Sequence, residues 1–213
     1  MEKKEVSIII ITIVLMSLIL LLHEKSSNFL WIAIISAIII LVSVFCKKLT
    51  AKIIDIKIEH KFWQVERVWF GKGRHLKNPV PAGIITPALF PLLPYLKWVC
   101  FSFLQFESKA LPGKAVKKYG TKRFSSVTEF DLSMISFYGI LGVLIISILA
   151  KLTTTSFPSL QLILLSKYSL YYAIWNILPI SQLDGAKLFF GSSRLFFFTL
   201  ILLAISTFIF ILP

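Results

Sequence analysis

The chain has 213 residues, of which 57% are hydrophobic, with 23 basic residues against 10 acidic ones. Several apolar runs approach the roughly 20 residues that cross a bilayer, so composition excludes an ordinary soluble domain and predicts a polytopic α-helical protein in contact with membrane lipid. The basic residues gather between the apolar runs, where positive-inside topology accounts for them without a nucleic-acid partner.

In chain order, a charged head precedes an apolar run over 6–22. His23, Glu24, Lys25, Ser26 and Ser27 follow it in place of a small-residue cleavage site, which predicts an uncleaved span. A second run, 30–46, lies a short loop away, so the two spans are expected to be antiparallel neighbours. The stretch 47–79 turns polar, with nine basic residues between Lys47 and Lys77, and is expected in the cytoplasm, which also puts the amino terminus there. Within it Ile54, Ile56 and Ile58 alternate with Asp55, Lys57 and Glu59, the period of a half-buried strand, and the aromatic run Phe62 to Phe70 predicts a small hairpin at the membrane surface.

The segment 80–106 is apolar but carries Pro81, Pro87, Pro91 and Pro94. That predicts a broken or re-entrant segment. A re-entrant path returns the basic loop 107–131 to the cytoplasm, whereas a single crossing would place its six basic residues outside. Three further spans are expected at 132–150, 159–178 and 195–212, the last two separated by a cytoplasmic loop at 179–194. Gly139 and Gly142 give the first of these a small face for close helix packing. Lys167, within the next, is expected to snorkel or to pair inside the bundle. The expectation is therefore five full transmembrane helices, one proline-rich broken segment and a small cytoplasmic β-hairpin, in a single multi-pass membrane domain.

One ionisable group stands apart. After Asp131 the only acidic residue is Asp184, just beyond an apolar run that ends at Pro179. An acid at a membrane boundary requires a partner, although Pro and Gly also mark ordinary helix ends, and a polar turn is the simpler alternative. Cys46 and Cys100 lie in or beside apolar runs with no pairing pattern.

The segment Asn176 to Gly185, with Asn176, Pro179, Leu183, Asp184 and Gly185, resembles the signature carrying the third zinc ligand in the site-2 protease family of intramembrane metalloproteases. The stretch Leu111-Pro112-Gly113-Lys114-Ala115-Val116, the glycine-bearing span and Lys187 to Arg194 extend the similarity toward that family's archaeal-type branch, over about three quarters of the chain. Such an enzyme also needs H-E-x-x-H, which sets two histidines on one helical face to reach one metal while the glutamate activates water. This sequence has none. The basic stretch Lys48-Leu49-Thr50-Ala51-Lys52 resembles the helix extension that follows the motif in the family, which places Ser43, Val44 and Lys47 on the lost positions.

The resemblance implies a vestigial metal site with no cofactor, and a pseudoprotease in place of an enzyme. Lys47 is expected either to supply the charge the metal would have supplied, by pairing with Asp184, or to extend into the lipid headgroups beside Lys48. A rebuilt metal site would have to draw on His60, His75 and Cys46, still without the water-activating glutamate. Three functions remain open: a binding module for a partner's membrane segment, an accessory subunit of a larger membrane assembly, and an intramembrane metalloprotease with unusual ligands.

Overall fold

A computed structural model describes residues 3–24, 28–67, 75–89, 100–110 and 127–211. Helix α1 (Lys3–His23) is apolar on every face, as suits a helix with lipid on one side and protein on the other. It packs along α2 (Phe29–Ile53). That second helix continues well past the expected end at 46, because Lys47, Thr50 and Ala51 are buried on the face already used by Ser43 and Val44, while Lys52 points outward. The basic residues are thus the last turns of a helix rather than the start of a loop.

Asp55, at φ 65°, turns the chain into β1 (Ile56–Phe62). Ile56, Ile58 and His60 are buried and Lys57 is exposed, the alternation expected of a strand lying on a helix bundle. The strand β2 (Val65–Arg67) pairs antiparallel with β3 (His75–Val80). Next come α3 (Ala82–Leu89), which contains Pro87, and β4 (Leu104–Ala110), antiparallel to β1 from Ile56↔Ala110 to Phe62↔Leu104. Among the described residues there are two short sheets where one hairpin was expected. The apolar segment 80–106 is corrected at both ends: Val80 closes β3, and Leu104 to Phe106 are strand residues buried between the sheet and the helices. Residues 90–99, with Pro91 and Pro94, and the stretch Leu111 to Val116 lie outside the described residues.

Thr128 caps α4 (Glu129–Ser156) in a reciprocal box with Asp131. This helix is the hub of the fold, packing against α2, α5 (Leu160–Ile177), α6 (Asp184–Gly191) and α7 (Ser193–Ile211). Half of the expected loop 179–194 is occupied by α6, and α7 already begins at Ser193. Among the described residues four helices, α1, α2, α4 and α7, are long and apolar enough to cross a membrane. The span expected at 159–178, α5, is not among them, since Gln161, Lys167, three tyrosines and Asn176 dilute its apolar residues.

Glycine decides the approach of α6. A Cβ on Gly185 would collide with the Ile177 and Leu178 carbonyl oxygens at the end of α5. Gly185→Ala should therefore lower stability by about 1–3 kcal/mol, the usual cost of overpacking, read as a fall in the thermal midpoint of the detergent-solubilised protein. An unchanged midpoint would contradict this close contact.

Candidate functional site

The site is assembled from the end of α2, the end of α5 and the start of α6. Lys47 lies one turn beyond Ser43 and Val44 on the buried face of α2. Its stem runs through the space that Gly139 leaves open, because a Cβ there would stand 2.6 Å from both Cγ and Cε of Lys47. Its ammonium meets the Asp184 carboxylate at 2.5 Å from Nζ to Oδ2, and both side chains are only 1% exposed. Asp184 is the first residue of α6, where free backbone N–H groups and the helix dipole favour a negative charge. The snorkelling alternative is thereby ruled out: Lys47 points inward to the acid.

The other signature residues have separate placements. Asn176 is buried and donates from Nδ2 to the Tyr172 carbonyl at 2.8 Å, while its Oδ1 has no hydrogen-bond partner among the described residues. Tyr172, also buried, has Ser43, Asn176, Lys47 and Asp184 as polar neighbours. Leu183 packs with Trp63 and Ala82, fastening the start of α6 to the sheet region, and Pro179 is exposed in the turn. Val44 belongs to the main apolar core. Gly142 faces Cys46 Sγ across the α2–α4 contact, so both expected packing glycines do face α2.

Two features were not singled out from the sequence. Lys187, three residues after Asp184 and on the same side of α6, donates to the Phe106 carbonyl and lies 3.5 Å from the centroid of that ring. Lys47 Nζ lies 5.8 Å from the centroid of the same ring, so one aromatic side chain of β4 serves two ammonium groups. Burial pulls the Lys187 pKa down to about 8; Asp184 and, more weakly, Glu107 oppose the shift and Lys47 adds to it. The second feature is Glu5, near the start of α1, which accepts from the His60 backbone N–H at 3.2 Å, contacts His60 Nδ1 at 3.0 Å and pairs with Lys48 at 2.7 Å. Burial holds the His60 pKa below its ordinary value even though Glu5 favours its charged form. The clue in the sequence was an acid placed at the very start of an otherwise apolar span.

These residues do not fit a zinc ion. A catalytic zinc takes three protein ligands and keeps one position open, whereas among Ser43, Val44, Lys47 and Asp184 the only ligand type is Asp184, and a lysine ammonium occupies its carboxylate. His60 is engaged by Glu5 and Cys46 lies against Gly142, while the side chain of His75 is outside the described residues. Among the described residues no three His, Cys, Asp or Glu side chains converge as a metal site. At the opposite end of the bundle, Lys167 and the Tyr168 hydroxyl both donate to Glu24 Oε1, at 2.8 and 2.6 Å, so Lys167 pairs inside the bundle. No family model, curated protein or solved structure matches this chain.

Two outcomes test the site. Breaking a buried pair from either side strands a charge, so Asp184→Asn and Lys47→Met should each cost about 3–5 kcal/mol, and the double variant should recover much of the loss in a double-mutant cycle. Additive costs would contradict a direct pair. Lys187 should titrate near pH 8 by NMR of its side chain. The folded chain then gives up that proton before the unfolded chain does, so this group makes stability rise with pH between about 8 and the ordinary lysine range near 10.4. Titration in that ordinary range would contradict the burial.

Proposed function

We propose that this chain is a proteolytically inactive, site-2-protease-like membrane protein that binds the membrane segment of a partner. The observation carrying the reading is the Lys47–Asp184 contact. The resemblance put the second lost histidine at Lys47 and the third ligand at Asp184 on the residues alone, far apart in sequence, and the two side chains touch. A fixed ammonium supplies positive charge where a metal would, but it has no Lewis-acid site and no exchangeable water, so hydrolysis at this position has lost its means.

The topology that goes with this reading has five spans, with α5 as the fifth. It sits against α2, α4 and α7, and the helices around it tolerate its polar side chains better than lipid would. The amino terminus is cytoplasmic in the cell membrane, the end of the bundle that carries Lys47, Lys48, Lys52 and the two sheets being the basic end. The apolar length of the partner's segment is assigned to the side of α3, where Ile85 and Leu89 are exposed on the helix that contains Pro87 and whose first residue, Ala82, packs with Leu183 at the start of α6.

Photo-crosslinking side chains at Ile85 and Leu89 in native membranes test the reading. Capture of the transmembrane segments of single-span proteins is the expected result. Cross-links to lipid alone, or to the soluble domain of one subunit in fixed stoichiometry, would overturn it in favour of a lipid-facing surface or an accessory subunit.

A further inference from the structure

Beside α6 lies a cavity of about 430 Å³ with Lys187 in its wall. Phe106, Leu132 and Phe190 supply its apolar lining, and Ser181 and Gln182 are among its polar residues. Lys187 is mostly buried, and among the described residues its acceptors are the Phe106 carbonyl and ring, with no carboxylate in ion-pair contact. Asp184, one turn earlier, is committed to Lys47. Among the described residues two neighbouring cations of this end of the bundle have an acid: buried Lys47 has Asp184, and half-buried Lys48 has Glu5. A desolvated ammonium with a donor to spare, facing an open cavity, is incomplete by the same electrostatic rule.

We propose that this cavity receives a carboxylate side chain standing at the boundary of the partner's apolar membrane segment, which pairs with Lys187 while only the residues flanking that carboxylate rest on Phe106, Leu132 and Phe190. The identity of the partner as a membrane segment rests on the function proposed above; the carboxylate is argued from the cavity itself. A single negative charge fits better than a phosphate. Glu107 and Glu129 also line the cavity and would repel a doubly charged group, whereas Glu107 is already neutralised by Lys61 at 2.6 Å and Glu129 sits in the first turn of α4, where the helix dipole favours it. Binding would place an acid on each lysine around Phe106.

The test uses the full chain in nanodiscs with two synthetic apolar segments of about 20 residues, enough to span the bilayer, that differ only in Glu or Gln at the cytoplasmic boundary. Binding is followed by fluorescence energy transfer at neutral pH. The expected result is about tenfold tighter binding of the Glu segment, a difference of about 1.4 kcal/mol. Lys187→Met should abolish the preference and Lys187→Arg should keep it, with thermal midpoints showing that both variants are folded. Equal binding of the two segments to the unmodified chain would overturn the carboxylate site and leave segment binding standing. A preference that survives in Lys187→Met would also overturn it, by moving the acid elsewhere. Laurate, offered as a free carboxylate, supplies the remaining arm: Lys187-dependent laurate binding with no binding of either segment would overturn the partner segment as occupant, and no binding of any probe would overturn both proposals.

Discussion

Everything at the basic end of this molecule depends on a lysine and an aspartate that have left water together. Removing either charge from solvent costs several kcal/mol, and their attraction offsets that cost only when the geometry is close and fixed. The chain supplies that geometry from three directions. Gly139 clears a channel for the Lys47 stem, Gly185 lets the start of α6 press against the end of α5, and the N-terminus of α6 adds its own field to the Asp184 carboxylate. A methyl group at either glycine would push one partner off the other. The pair therefore acts as a register pin, holding α2, α4, α5 and α6 in one arrangement.

Around the pin, charge ties the sheets to the bundle. Glu5 reaches from α1 to β1 through His60 and to α2 through Lys48, and Lys187 reaches from α6 to β4 through Phe106. Phe106 lies within reach of both lysines, so β4 reports on the ion pair even though it makes no salt bridge to it. The far end of the bundle is held more simply, by Glu24 accepting from Lys167 and Tyr168. A chain whose helices face lipid gains little from apolar contact between them, and these buried polar contacts specify which helix meets which.

The residues that declared themselves in the sequence were those whose pattern depends on one neighbouring surface. Ile56 and Ile58 alternate because one face of β1 rests on the bundle, and the strand was legible from that alone. Asp184 was legible because an isolated acid beside a membrane demands a cation, and the resemblance indicated which one. The errors came where two patterns overlap. Lys47 to Lys52 has the composition of a loop, yet its buried and exposed positions follow a helical face. Leu104 to Phe106 has the composition of a membrane segment because β4 is buried on both sides. Helix α6 is too short for a periodic signal, and Lys187 gains its meaning only when β4 is brought to it from a distant part of the chain.

The claim at the centre is that the Lys47 ammonium stands where a metal would stand. Metal content of the purified, tag-free chain after exposure to zinc tests this most directly, measured alongside Asp184→Asn. The account predicts no stoichiometric zinc in either protein, with the unmodified chain folded. Stoichiometric zinc that is lost in Asp184→Asn would contradict it, because the carboxylate would then be a ligand and Lys47 would have to move aside.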